Sequence, residues 1–439
     1  MQKKLLGMAV AAALAAPGLA LAQASVQVYG TVHLSMNQVR FSPSTNQAAG
    51  SATAFNDVTK YGVSSHASNW GLRSTESLGG GMTAWFQAEF NMKMARDNGV
   101  HDGESTARNS GVGLRGGFGN VYLGTWETPW AQTFRMWDVG SIGGWGPVTS
   151  IIGRRENTGT GPSRNCSNLQ SASGGAQALT AAGVAVPTNI CGNGAEASAG
   201  AGIGTGYAIW RRYNYGIFYE TPVYSGLQGK LAIQPNERKS GYAQGNVAAT
   251  ATAAATTNEN PSSWSASLAW TGMGGRARAF LANMRNKDWT TVGQTDSGWT
   301  AGGGYDFGPV NVGVTYEKFS YVQATGDATA KQWAAAIAIP IGPGKIGASY
   351  ARASAFEGSG ATTLFGAAND TAAKMWNIGY EWALSKRTNL GFGVAKIDNG
   401  ANIGFSWTGQ LPTQDGFSSG SVVNGVDQTN IFVSMRHSF

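Results

Sequence analysis

From Val26 onward the sequence alternates between apolar and polar positions with a period of two. Val26, Val28, Gly30, Val32, Leu34 and Met36 alternate with Gln27, Tyr29, Thr31, His33, Ser35 and Asn37. Further on, Met82, Ala84, Phe86, Ala88, Phe90 and Met92 alternate with Thr83, Trp85, Gln87, Glu89, Asn91 and Lys93. Near the C-terminus Ile431, Val433 and Met435 alternate with Asn430, Phe432, Ser434 and Arg436. A repeat of 180° per residue predicts strands with one apolar and one polar face. These segments lack the i, i+3, i+4 stripe of a helix. Globular strands run roughly 5–6 residues. These run about twice as long, enough to cross a hydrocarbon layer at a tilt.

The connections alternate too. Short turns fall at Ser77–Gly81, Gly117–Gly119, Pro222–Ser225, Gly272–Gly274, Gly308–Pro309, Gly342–Gly344 and Ser385–Arg387. Longer loops fall near 43–57, 95–106, 127–206, 237–261, 287–296, 322–328, 356–371 and 398–427. Seven turns and eight loops separate sixteen strands. Short turns on one side and long loops on the other mark an all-β, 16-stranded antiparallel transmembrane β-barrel. In lipid the sheet must close on itself, so that every backbone N–H and C=O is partnered. Sixteen strands enclose an aqueous lumen rather than a packed core. A soluble β-sandwich would need neither the long strands nor the regular alternation of turn and loop.

Composition narrows the classes further. Charged residues are 13% of the 439, against about 25% in soluble domains. The 10% of aromatics argues against disorder. Outside the first 22 residues there is no apolar run of the ~18 residues a membrane helix needs. Residues 1–22 read as a secretory signal, with Lys3 and Lys4, an apolar stretch from Leu5 to Leu14, and the A-x-A site Ala20-Leu21-Ala22. The expected mature chain begins at Gln23. Losing Lys3 and Lys4 lowers the formal charge from +7 to +5. No basic run of nucleic-acid type occurs.

Export implies an oxidising compartment. That favours a disulfide between Cys166 and Cys191, worth about 3 kcal/mol by loop entropy; a metal pair is the other reading. The four histidines, at 33, 66, 101 and 437, show no metal-ligand spacing. No cofactor is legible. A barrel hydrolase would need a nucleophilic serine with a histidine and an acid, and no G-x-S-x-G elbow is found.

Motifs spread along the chain resemble those of the general Gram-negative trimeric porins of the β-proteobacterial branch. Ser25-Val-Gln-Val-Tyr29-Gly30 resembles their first strand, and Ser68-Asn-Trp70-Gly71-Leu72-Arg73 with Glu76-Ser-Leu-Gly79-Gly80-Gly81 their second strand and first turn. Arg108-Asn-Ser-Gly-Val112-Gly113-Leu114 resembles the fourth strand, and Gly124-Thr-Trp-Glu-Thr128-Pro129 the start of the third loop. Asn214-Tyr-Gly-Ile217-Phe-Tyr219-Glu-Thr-Pro222, Tyr305-Asp-Phe-Gly308-Pro309, Gly379-Tyr380 and Ala383-Leu-Ser-Lys386-Arg387-Thr388 continue the series. The end, Met435-Arg-His-Ser-Phe439, resembles the signal read by the barrel-assembly machinery, with Phe439 as its aromatic residue.

The resemblance implies a homotrimer in the lipid of the outer membrane, with the long third loop folded into each lumen. It implies passive diffusion of small hydrophilic solutes and ions, filtered by basic wall residues set against acids on that loop. On this pattern Tyr29, Thr31, Asn69, Arg73 and Arg108 line the pore. Thr31, Asn69 and Thr125 stand where many relatives carry a cation, so the usual basic row is thinned.

In the third loop Arg135 and Asp138 are either a local pair or charges that set the field. Arg211 and Arg212 face the pore mouth or a solvated edge. Trp126, Trp130, Phe134 and Trp137 are spaced to share one face of a helix. Either these rings pack the loop against the wall, or Trp130 and Trp137 form a platform for aromatic or sugar-like solutes. An adhesive barrel without conductance is a further class.

Overall fold

The computed structural model describes residues 26–45, 57–92, 94, 108–152, 212–235, 262–287, 294–323, 326–361, 369–407 and 424–439. The expected leader and the two cysteines lie outside these residues.

Seventeen strands build the wall. They are β1 (Gln27–Phe41), β2 (Val58–Ser65), β3 (Asn69–Gly79), β4 (Met82–Asn91), β5 (Ser110–Gly116), β6 (Gly119–Glu127), β7 (Arg212–Glu220) and β8 (Leu227–Gln234). Next come β9 (Ser262–Gly272), β10 (Ala277–Lys287), β11 (Thr295–Asp306), β12 (Asn311–Gln323) and β13 (Gly326–Ile341). The last four are β14 (Gly344–Ala353), β15 (Ala373–Ala383), β16 (Thr388–Asn399) and β17 (Gln428–Ser438). From β3 to β17 each strand pairs antiparallel with the next. β1 then pairs with β17, from Thr31↔Ser438 to Phe41↔Gln428. Gly30 and Phe439 finish the seam with two backbone hydrogen bonds of 3.0 and 3.1 Å.

The count of sixteen holds because β2 and β3 are one wall strand broken in the middle. Both pair with the same side of β1, at Leu34↔Ser65 and Thr31↔Asn69. Between those pairs, Val32 and His33 of β1 face the three residues 66–68. That is one residue too many, a bulge, with Ala67 at φ 53°. Ser68 Oγ holds the break together by accepting from His33 N at 2.9 Å.

The seven short turns fall where the spacing places them. One long loop does not: β12 runs to Gln323 and β13 begins at Gly326, paired with it, so most of the expected loop at 322–328 is strand. The alternation continues through that segment, which lets the ladder run further.

The two faces are inverted relative to a soluble sheet. Val28, Met36, Val112, Leu123, Leu281, Val314 and Ile431 point outward and are exposed. Ser35, Asn37, Ser265, Thr300, Glu317, Asn377 and Asn430 point inward and are buried. Exposed apolar rows this extensive require lipid.

The closing seam is tightly packed at Gly30. A Cβ there would sit 2.4 Å from Phe439 Cζ and 2.7 Å from Asn69 O. Gly30→Val should therefore destabilise the folded barrel by about 1–3 kcal/mol through overpacking. The check is a lower temperature for loss of the compact, heat-modifiable gel band.

Candidate functional site

After β6 the chain turns inward. Thr128 caps a short helix, Pro129–Gln132, by accepting from Ala131 N, and Pro129 at the first helical position needs no N–H partner. A 3-10 turn, Thr133–Met136, follows. The segment 128–152 then runs along the inward face of the wall. Trp130 N donates to Ser265 Oγ of β9 at 3.2 Å, and Trp130 Nε1 to Glu317 Oε1 of β12 at 3.3 Å. Asn377 of β15 donates to Gly140 O at 3.1 Å. Trp145 ends the run against His66, edge to face at 4.9 Å, and against Trp407 at 5.2 Å.

Small wall residues make this seating possible. A Cβ on Gly313 would lie 1.9 Å from Trp137 O, and one on Gly347 would lie 2.7 Å from Gly140 O. The inward row of β13 is alanine at 328, 330, 334, 336 and 338. The bulge supplies the other end of the seat, since it turns His66 inward, with its Nε2 2.6 Å from Ser35 Oγ.

The spacing of the rings predicted one helical face over residues 126–137, and only four residues are α-helical. Trp126 belongs to β6 and packs with Trp85 and Tyr122. Trp130 and Trp137 are fully buried against the wall, which is the packing reading of these rings. Neither offers a face to a solute.

The remaining inward wall carries the charge. Arg108 precedes β5 and its Nε donates to Glu89 Oε1 of β4. Tyr29 OH donates to the other oxygen of Glu89 at 3.0 Å. Arg73 lies 4.9 Å over the Tyr29 ring and donates to Gln27 at 2.9 Å. Glu127 accepts from Arg135 at 2.7 Å and from Arg212 at 3.0 Å. Arg212 also donates to Asn109 at 2.8 Å. Further along, Lys230 pairs with Glu220 at 3.0 Å and donates to Gln132 at 2.6 Å. One polar network thus runs from β1 to β8.

Of the expected pore residues, Tyr29, Arg73, Arg108 and Arg135 meet in or beside this network. Thr31 and Asn69 face each other across β1 and β3. Thr31 Oγ1 lies 3.1 Å from Ser438 Oγ, and Asn69 donates to Ala67 O. Arg135 does not pair with Asp138, whose two oxygens accept from Ser141 at 2.8 and 2.9 Å. Arg212 is an inward member of the cluster rather than a solvated edge. Glu89, Glu220 and Lys230 were not singled out from sequence. The period of two already placed Glu89 on the polar face, and only its cross-strand partners were missing. Among the described residues no cluster of His, Cys, Asp or Glu is placed to hold a metal ion.

A family model described as Gram-negative porin matches residues 9–402. The chain belongs to the Gram-negative porins. This porin is 37% identical over 150 residues to outer membrane porin protein 32 of Delftia acidovorans, covering 34% of this chain and 38% of that one. It is 34% identical over 120 residues to an outer membrane porin protein of Bordetella pertussis, covering 26% and 30%. The matched stretches thus span about a third of these β-proteobacterial relatives. In fold, the porin resembles an anion-selective porin from Comamonas acidovorans, with a TM-score of 0.60, 22% identity and coverage of 95% and 100%. A trimer form of an outer membrane protein of Vibrio cholerae gives 0.55, 13%, and 95% and 99%. The porin resides in the outer membrane. Its relatives are channels and not enzymes.

Asp138 gives the seated segment a pH dependence. Enclosure pushes its carboxyl from 3.8 up to about 6, against the opposing pull of Ser141 and Lys345. The folded segment therefore holds the proton more tightly than the unfolded chain does. Seating is strongest below pH 3.8 and weakens as pH rises through about 6. Bilayer recordings across that window should show open-channel noise increasing with pH, and Asp138→Asn should remove the dependence.

Proposed function

We propose that this porin is a passive diffusion channel for small hydrophilic solutes and ions, assembled as a homotrimer, with a modest preference for anions. The observation that carries this is the placement of four guanidinium groups, Arg73, Arg108, Arg135 and Arg212, around two carboxylates, Glu89 and Glu127. The segment 128–152 packs along the wall from β9 to β15 and brings Gln132 and Arg135 up to the charged wall. Charged rows of this kind bias the ions that pass. The similar porin from Comamonas acidovorans is described as anion-selective. Thr31 and Asn69, neutral where relatives carry cations, keep the preference modest.

The homotrimer reading draws on the trimer form of the Vibrio cholerae protein and on the outward faces of β3–β6. Toward the long loops those faces carry Trp70, Phe90, Val112 and Leu123 and no charge. Phe439, seated over Gly30 at the seam, fits the role of an aromatic assembly signal. A Trp-lined path for aromatic or sugar-like solutes draws no support from two buried rings.

The test is the reversal potential in a planar bilayer under a KCl gradient. The expected sign is that of chloride preference, with conductance steps grouped in threes. Arg73→Glu with Arg135→Glu should turn the preference toward cations. A cation preference in the unmodified porin would overturn the selectivity reading, and an absence of conductance would overturn the channel. Trp130→Ala separates the two roles of the ring: loosening the seat raises conductance and noise, whereas a solute platform would lose saturable block at unchanged conductance.

A further inference from the structure

His33 faces the lumen from β1 and has no fixed partner for its ring. The inward positions of that strand run Tyr29, Thr31, His33, Ser35 and Asn37. His33 is half-buried. Among the described residues its hydrogen bonds are all made by the main chain, two of them with Ser68 Oγ. Its ring lies 4.9 Å from that of His66, tilted by 44°. His66 is engaged otherwise. It is 4% exposed, its Nε2 lies 2.6 Å from Ser35 Oγ, and it carries the edge of Trp145. His437 pairs with Val32 on the outward face and meets Thr388 there. Among the described residues His33 is thus the histidine open to the passage.

The charges around it are of one sign. Across the seam the register sets Arg436 opposite His33. Arg436 is exposed on the inward face, and among the described residues no carboxylate pairs with it. The other inward charges on the elements packed here are Lys60 of β2 and Arg73 of β3, and Tyr29 is the remaining titratable group of β1. The described inward faces of β1–β3, β16 and β17 carry no carboxylate. The seated stretch 139–146, which passes over Phe432 and His66, carries no charge. Asp138 before it is held by Ser141. A proton on His33 is therefore answered by no fixed anion, only by mobile ones in the lumen. A narrow passage with low-dielectric walls focuses such a field.

We propose that His33 is a specificity-determining residue of the channel, and that its protonation raises the anion preference on acidification. This rests on the channel reading above. The stretch of wall where Thr31 and Asn69 leave the basic row thinned regains a cation when His33 is charged. An imidazole ordinarily changes charge near pH 6.5. Charged His33 then stands between Arg73 and Arg436, and a line of cations runs from β3 through β1 to β17. His66 rather than His33 holds Trp145, so the change falls on selectivity and not on the seat.

The test is the reversal potential of the folded porin in a planar bilayer under a KCl gradient, taken from about pH 7.5 to about pH 4. Permeability to chloride over potassium should rise about twofold more in the unmodified porin than in His33→Gln. The difference between the two is the readout, because Glu89 and Glu127 also take up protons toward the acid end and do so in both. His33→Arg should show the higher preference already at the neutral end and rise no more than His33→Gln does. Heat-modifiable gel migration verifies that each is folded, and His33→Asn replaces the glutamine variant where that one does not fold. Equal rises in the unmodified porin and His33→Gln would overturn the proposal. A rise that survives His33→Gln and disappears in His66→Gln would assign the effect to the seat and overturn it as well. A cation preference at the neutral end would overturn the earlier selectivity reading instead, and the difference between porin and variant would still decide the role of His33.

Discussion

A backbone in hydrocarbon has no water to bond with, so the ladder between β1 and β17 determines whether this sheet can exist in a membrane at all. With that seam closed, each strand has two neighbours and no edge faces lipid. The rest of the architecture follows. Apolar side chains go outward because lipid is there. Polar ones go inward, and sixteen strands enclose more space than they can fill. The vacancy is then available to a segment of the same chain, which enters after β6 and crosses to the bulge between β2 and β3.

The interior that results is divided. One wall is made of glycine and alanine and carries a backbone laid flat against it. The other is made of paired arginines and glutamates. The buried rings of Trp130, Trp137 and Trp145 belong to the first wall, where they fasten the segment by packing and by single hydrogen bonds. Arg108, Arg135 and Arg212 are each tethered to a carboxylate, while Arg73 donates to Gln27. Tethering fixes guanidinium positions that would otherwise sample many rotamers, so the field they generate has a defined shape.

Strand number, strand length, inside and outside were legible in the sequence because a period of two has one interpretation when repeated over long segments. The glycines within strands were not accounted for from sequence. At Gly313 and Gly347 the reason is the close approach of a second backbone, and no local pattern encodes a neighbour so distant in the chain. The bulge at residues 66–68 was missed for a similar cause: one extra residue in a strand leaves the alternation on either side intact. The candidate pore residues fared unevenly. Tyr29, Arg73 and Arg108, singled out through strand motifs, meet in the inward polar network. Glu89 and Glu220 were not singled out, since a carboxylate on a polar face gains meaning only from the arginine or lysine across the sheet. Trp126 and Trp137 have helical spacing yet lie in a strand and just past a 3-10 turn, because contact with the wall, not propensity, shapes that segment.

The separation of the two interior walls bears on how such a channel diverges. On the proposed reading, aperture follows the bulk of residues such as Gly313, Gly347 and the alanine row of β13, against which the segment seats. On the same reading, ionic preference is set by the charged side chains of the other wall. The two sets meet where the seated segment reaches the charged wall, at Gln132 and Arg135, and the effects of substitutions remote from that junction are expected to add. A lineage under pressure to admit larger nutrients can change the first set while leaving the second untouched, and one facing a toxic ion can do the reverse. Two selectable traits would thereby occupy one barrel and constrain each other chiefly at that junction.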